Sequence, residues 1–277
     1  MSIIRPPSRF VGLHAHSGFS TMDGLGYPAQ HIDFVLKNGM DAWALTDHGS
    51  GNGLAHAHTH TRKIKGKGYK YRQIYGVEFY FVPSLTDWAK KREAHFEAKR
   101  AKNDEGKPEQ TDILAEEEVT GGLVVEDEEE TKTVEMDDAD DWKRRYHLVV
   151  FAKNRAGLKN LFNLVKRSYV EGYYKFPRID FEMLKEHGEG LCVSTACVGG
   201  LMASHSIRAE ALNKPFEQIQ RELQNYTDKF VDAVGIDNFF LELQFNKLSI
   251  QHTNNRHLIE LSKATGIKTI ATADSHY

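Results

Sequence analysis

A chain of 277 residues with 40% hydrophobic content can bury a full core in one large domain or two smaller ones, and its two cysteines rule out a disulfide framework. No apolar run is long enough to cross a bilayer, and Met1–Phe10 lacks the apolar centre of a signal peptide, so a soluble cytoplasmic protein with no membrane partner is expected. The net charge of −3 hides an uneven distribution: Thr86–Arg145 holds 20 acidic and 11 basic residues, leaving a mildly basic body that suits a phosphate-bearing partner without identifying one.

Seven short runs rich in β-branched, aromatic and aliphatic residues alternate with helical patterns along the chain. The strand-like runs are Phe10–His14, Ala42–Thr46, Gln73–Phe81, Tyr146–Ala152, Gly190–Thr195, Asn238–Gln244 and Lys268–Ala273. Helices are predicted over Tyr27–Asn38, Gly53–Ile64, Asn154–Val170, Phe181–His187, Gly200–Glu210, Pro215–Val234 and Ser249–Thr265, the last stopped by Gly266. Such alternation predicts parallel strands joined by right-handed crossovers, and seven units point to an α/β fold that closes as a (β/α)7 barrel. An open doubly wound sheet is the alternative.

The pattern breaks once, at Thr86–Arg145. Ten of the sixteen residues from Glu126 to Asp141 are acidic, which predicts a solvated, flexible insertion within a single domain spanning 1–277. Thr120–Val125 is a candidate hairpin strand inside it. A docking segment for a partner is the functional alternative.

Metal-competent side chains gather where the predicted strands end. His14 and His16 are two apart, so an extended backbone points both to one face. Asp23 opens the next helix, Asp47 and His48 end the second strand, Glu78 lies inside the third, Cys197 follows the fifth, and Asp274 and His276 follow the seventh. Strand ends are where barrels of parallel strands collect functional groups. His147 sits at the start of its run, which in an all-parallel sheet is the opposite rim. His56, His58 and His60 read as an exposed helix surface, Lys63–Arg72 as a basic loop with interleaved tyrosines, and Cys192 as core.

His14-Ala-His16-Ser17, Thr46-Asp47-His48-Gly49, Gly76-Val77-Glu78 and Ala273-Asp274-Ser275-His276 resemble the motifs of PHP domains, the polymerase and histidinol phosphatase superfamily. Further stretches narrow the likeness: HSGFSTMDG at His16–Gly24, YHLVVFAKN at Tyr146–Asn154, EGYYKFPRID at Glu171–Asp180, STAC at Ser194–Cys197 and ATADSHY at Ala271–Tyr277. Together they resemble the N-terminal PHP domain of C-family DNA polymerase III alpha subunits from about Val11 to Tyr277, with only the charged insertion departing from it. The resemblance implies a distorted barrel of the PHP type and nine metal ligands: His14, His16, Asp23, His48, Glu78, His147, Cys197, Asp274 and His276. It assigns one ion to His14, His16, Glu78 and Asp274, a second to Glu78, His147 and Cys197, and a third to Asp23, His48 and His276.

Such a cluster suits up to three divalent ions, with zinc, manganese and iron all compatible with mixed imidazole, carboxylate and thiolate donors. The implied chemistry is phosphoester hydrolysis acting through the metals held by His14, His16, Glu78 and Asp274, of the 3′-to-5′ exonuclease kind, on a DNA primer end during replication. Lys175 and Arg178 are candidate contacts to the nucleic-acid backbone. No polymerase palm follows, so the remaining polymerase domains are expected on another polypeptide, with other replisome subunits as further partners. A scaffold that only binds metal and a small-molecule phosphatase of the histidinol phosphatase kind are the alternatives.

Overall fold

The computed structural model describes residues 10–104 and 142–276. Within them, helices α1 (Pro28–Lys37), α2 (Asn52–Gly66), α3 (Leu85–Asp104), α4 (Arg155–Val170), α5 (Phe181–His187), α6 (Leu201–Ala211), α7 (Phe216–Val234) and α8 (Ser249–Thr265) alternate with eight strands. The strands are β1 (Ala42–Leu45), β2 (Arg72–Phe81), β3 (Tyr146–Ala152), β4 (Tyr173–Tyr174), β5 (Phe176–Ile179), β6 (Leu191–Ser194), β7 (Phe239–Gln244) and β8 (Thr269–Thr272). No described helix is long and apolar enough to cross a membrane.

The sheet runs β1-β2-β3-β6-β7-β8 and curls towards closure. The predicted first strand, Phe10–His14, forms no regular strand. It makes two isolated parallel bridges instead, Gly12 with Trp43 and Ala15 with Ser275, which tie the chain beyond β8 back to β1. At Ala15 the Thr46 hydroxyl accepts from the backbone N–H at 3.0 Å, where a regular ladder would supply a carbonyl, while the Ala15 carbonyl accepts from both the Thr46 N–H and its hydroxyl, each at 3.0 Å. With this segment bridged to β1 on one side and to the chain after β8 on the other, the sheet curls as the distorted barrel that was expected.

The expectation of uniformly parallel strands is not met. β3 runs antiparallel to both β2 and β6, with Tyr146 opposite Phe81, so the chain returns at the rim where β2 left it. A parallel return needs a helix that packs back across the sheet. α3 cannot do this, because its charged residues form no apolar stripe. It is anchored instead through Trp88, buried with Val82 and Trp142 and packed by Phe96 and Tyr174.

The segment expected to be flexible therefore begins as a helix with a buried anchor. Residues 105–141, including the candidate strand Thr120–Val125, lie outside the described residues. The Trp88 indole N–H donates to the Trp142 carbonyl at 2.9 Å, and the guanidinium carbons of Arg92 and Arg178 lie 4.8 Å from its ring centre. Trp88→Ala is expected to cost about 3–5 kcal/mol, the usual range for emptying a buried aromatic site. Chemical denaturation measures it, and a cost under about 1 kcal/mol contradicts this packing.

The core lies between the sheet and the helices. One face of α7 supplies Ile219, Leu223, Phe230 and Val234, and the Phe230 ring stacks on Phe239 of β7 at 4.9 Å. Four-residue burial throughout β1 fits a strand covered on both faces. Cys192 is only half-buried, at the edge of a small cluster with Ala44, Val149 and Phe151, rather than in the core.

Candidate metal centre

The rim of the sheet gathers the predicted residues from separate elements. His14 and His16 flank the bridge at Ala15 and are both buried. The loop after them is pinned by Asp47, whose carboxylate accepts from the Ser17 N–H at 2.7 Å, the Ser17 hydroxyl at 2.9 Å and the Ser20 hydroxyl at 3.0 Å. Gly24 closes that loop: a Cβ there would lie 2.2 Å from the Ser17 carbonyl oxygen, so only glycine permits the turn that places Asp23. His48 follows β1, Glu78 sits in the second half of β2, Cys197 follows β6, and Asp274 and His276 follow β8. Asp274 holds a left-handed backbone, with φ of 49°, a conformation that carries a cost and that aspartate tolerates better than most residues.

His147 joins the same rim because β3 is antiparallel. The start of β3 lies beside the end of β2, so a residue that looked misplaced in an all-parallel sheet shares the face of Glu78. Its Nδ1 is 3.0 Å from Glu78 Oε1.

Glu78 is the hub. Its Oε2 lies 3.2 Å from His14 Nε2, 3.1 Å from His16 Nε2 and 3.2 Å from His48 Nδ1. Asp274 Oδ1 completes the first group at 3.1 Å from His14 Nε2 and 3.4 Å from His16 Nε2. Asp23 bridges His48 and His276, at 2.5 Å and 3.3 Å from their Nε2 atoms. Cys197 is more remote; its Sγ stands 3.6 Å from His147 Nδ1 and receives the Gly199 N–H at 3.4 Å.

Three sets of donor atoms thus converge: His14, His16, Glu78 and Asp274; His48, Glu78 and His147; and His16, His48 and His276. The first matches the expected set; in the second His48 stands where Cys197 was expected, and in the third His16 stands where Asp23 was expected.

The decisive feature is a group of buried atoms without hydrogen bonds. His14 Nε2, His16 Nε2, His48 Nδ1, both oxygens of Glu78 and Asp274 Oδ1 are buried and make none. Buried polar atoms are otherwise almost always satisfied. Here donors of nitrogen and oxygen type converge on one small volume, the chemistry of a divalent-metal site.

The electrostatics agree. Burial opposes charging of His14, but Asp274, Glu78 and Glu242 outweigh it and raise the imidazole well above its usual range. Burial likewise opposes charging of His16, while the carboxylates of Asp274 and Glu78 beside it lift it to about 9. Glu78 resists its own burial through His14, His147 and His48 and stays well below the carboxylate range. Burial, then Asp274 and Glu78, push the Cys197 thiol well above the usual thiol range, so it is a poor nucleophile here.

A cation needs these imidazoles neutral and the thiol ionised, so its uptake should release protons. Because His16 keeps its proton up to about pH 9, apparent metal affinity is expected to rise as pH climbs from 6.5 towards 9. Stability of the ion-free protein moves the other way: the raised His16 contributes fully below 6.5 and loses its contribution as pH passes about 9. Isothermal titration in two buffers of different ionisation enthalpy reads the protons, and a pH-independent affinity contradicts the assignment.

Residues missed in the sequence hold the cluster in place. Glu242, fully buried in β7, has its Oε1 2.7 Å from His14 Nδ1 and accepts there from the Thr272 hydroxyl at 2.6 Å, while its Oε2 accepts from the Ser194 hydroxyl at 2.5 Å. In the neutral imidazole that a metal needs, this contact would hold the His14 proton on Nδ1 and leave the Nε2 lone pair aimed at the cluster. His16 Nδ1 contacts the Ser20 hydroxyl at 3.0 Å, which in turn donates to Asp47. A lone carboxylate inside the apolar run FFLELQ was the available signal for Glu242.

A cavity of about 460 Å³ opens over the cluster, lined by Asp23, His48, His147 and His276 on one side and by Tyr169, Tyr173, Lys175 and Arg145 among others. Lys175 thus reaches the site. Arg178 does not: it is buried, its Nη1 donating to the Tyr174 and Phe176 carbonyls at 2.8 and 2.9 Å, so its expected contact with a nucleic-acid backbone gives way to an internal brace. His58 meets the Tyr75 hydroxyl at 2.8 Å and His60 meets Asp33 at 2.7 Å, away from the cluster. In Lys63–Arg72, Tyr71 is buried in the core.

Known proteins resemble this chain along most of its length. The DNA polymerase III subunit alpha of Aquifex aeolicus is 32% identical over 274 residues, covering 97% of this chain and 18% of that protein. That of Borreliella burgdorferi is 31% identical over 271 residues, covering 98% of this chain and 18% of that protein. The chain therefore spans less than a fifth of the length of these relatives. A crystal structure described as a metal-dependent phosphoesterase from Bifidobacterium adolescentis superposes with a TM-score of 0.50 at 12% identity, covering 99% of this chain and 90% of that one, which shows the shared fold. With residues 12–246 matching the PHP domain, the chain belongs to the PHP domain family.

Proposed function

We propose that this chain is a metal-dependent phosphoesterase of the 3′-to-5′ exonuclease kind, acting on a DNA primer end beside the remaining domains of a replicative polymerase. The observation that carries it is the set of unsatisfied buried nitrogen and oxygen atoms around Glu78, which reaches a cavity wide enough for a substrate through His48, one of its members, and through the neighbouring Asp23, His147 and His276. The polymerase context is supported by relatives that are DNA polymerase III alpha subunits.

The nine residues named above are the proposed ligands. Glu78 offers one oxygen towards His14, His16 and His48 and the other towards His147, so it would help hold ions on both sides of it. Divalent ions bound there supply a water of lowered pKa and neutralise charge on a phosphoester. The thiol of Cys197 beside His147 favours zinc at that position, while the nitrogen and oxygen donors of the first group suit manganese, iron or zinc. Glu242 keeps His14 oriented, Ser20 orients His16, and Lys175 brings a cation to the cavity that receives the phosphates.

The test is degradation of a 5′-labelled single strand and of a mismatched primer by the purified chain, with manganese or zinc supplied and His14→Ala as control. Loss of 3′ nucleotides by the parent alone is expected. Bound metal with no loss of nucleotides contradicts the nuclease and leaves a metal-stabilised scaffold.

A further inference from the structure

We propose that Tyr169 and Tyr173 form a stacking shelf for the terminal base of a single-stranded DNA end, so that the cavity holds a whole nucleotide and not only its phosphate. This deepens the phosphoesterase reading and rests on it.

Both rings line the cavity that His48, His147 and His276 also line. They lie parallel within 16°, centroids 5.9 Å apart, yet Tyr169 is 48% and Tyr173 53% exposed. Large aromatic surfaces left half in water inside a polar cavity offer a planar ligand a face without any need for rearrangement. Bases of every kind stack on such rings, which suits an activity indifferent to sequence. The volume, about 460 Å³, falls among sites that enclose small ligands, roughly 300–1,000 Å³.

The shelf is held rigidly. Tyr173 and Tyr174 form β4, which pairs with β5 through Tyr173 opposite Pro177 and Tyr174 opposite Phe176. Lys175 alone makes the turn, with φ of 57°. Alternation along the strand sends Tyr174 against Trp142, 5.4 Å between centroids, and leaves Tyr173 on the cavity side beside Tyr169. The buried Arg178 ties the hairpin from within through the Tyr174 and Phe176 carbonyls. Gly172 lets the chain pass so close that a Cβ there would lie 2.0 Å from the Arg178 carbonyl oxygen.

Charge on the same walls fits a phosphodiester attached to that base. Lys175 lines the cavity from the hairpin tip, and the Arg145 guanidinium carbon lies 3.9 Å from the Phe176 ring centre while also lining it. A planar base on the tyrosines, phosphate oxygens near the cations and the scissile ester at the histidine wall place one strand end across the cavity.

The test is fluorescence anisotropy of the full chain in chelator, where nothing is cut, with a labelled single strand ending in an ordinary nucleotide or in an abasic sugar. The parent is expected to bind the ordinary end at least about fivefold more tightly, the low end of stacking one base on an aromatic ring. Tyr169→Ala combined with Tyr173→Ala should erase that preference, and the corresponding double phenylalanine variant should keep it. Equal affinity for both strands, no binding of either, or an unchanged preference in the double alanine variant overturns the proposal. Failure of the phosphoesterase reading shows separately, as strands left uncut in manganese by a parent that still prefers the ordinary end.

Discussion

Glu78→Gln is expected to lower metal affinity by more than about a hundredfold and to abolish hydrolysis with it. Loss of a partner one step removed from a metal already costs about 10–100-fold, and Glu78 lies at 3.0–3.2 Å from His14, His16, His48 and His147 with both of its oxygens. Glutamine keeps the shape but removes the charge and replaces one oxygen with a donor that repels a cation. Folding should survive better than binding, because the parent cluster already buries like and unlike charges at close quarters. Elemental analysis and circular dichroism of the variant separate the two effects. A folded variant that retains its ions contradicts the role of Glu78 as the bridge.

Glu242→Gln has the second largest expected effect, although Glu242 touches no ion in the proposed site. Its carboxylate serves His14, Thr272 and Ser194 together. An amide offers only one oxygen and must turn its N–H groups towards at least one of these donors. Metal affinity is expected to fall by about 10–100-fold, and stability by about 1–3 kcal/mol from the buried partner left unsatisfied. Glu242→Asp, which keeps the charge but shortens the reach, should fall between parent and glutamine variant in metal affinity. If both variants bind metal as the parent does, the proposed control of the His14 tautomer is wrong.

Most of the ring of strands was legible because β-rich runs and amphipathic helices alternate at regular spacing. Strand direction was not. The run YHLVVFA has the same apolar character whichever way it lies, and its antiparallel setting follows from α3, whose even distribution of charge leaves no stripe to pack across the sheet. That one reversal also decides where His147 lies. Helix α3 itself was missed for the same reason: only Trp88 and Phe96 reveal that the charged segment begins with an anchored helix. The hairpin of β4 and β5 escaped because two-residue and four-residue strands fall below what periodicity resolves.

The convergence of metal-competent residues was legible from spacing and from the family resemblance; seven of the nine meet in the converging sets, with Asp23 beside His48 and His276 and Cys197 beside His147. The details around them were less so. Arg178 looked like a surface cation, since its neighbours Tyr173 and Lys175 are exposed or line the cavity, and nothing in EGYYKFPRID shows that this arginine turns inward. Glu242 was hidden in an apolar strand. Its carboxylate is tolerable there because His14, Thr272 of β8, Ser194 of β6 and, at 3.3 Å, the Gln244 amide two residues on all meet it, a condition set mostly by other elements.

The most direct measurement of the central claim is the count of divalent ions per chain by elemental analysis, for the parent and Glu78→Gln purified side by side. The account predicts about two or more ions bound to the parent, as bridging by one carboxylate requires, and a marked loss in the variant. Less than one ion per parent chain under metal-replete conditions, or equal content in both proteins, would contradict it.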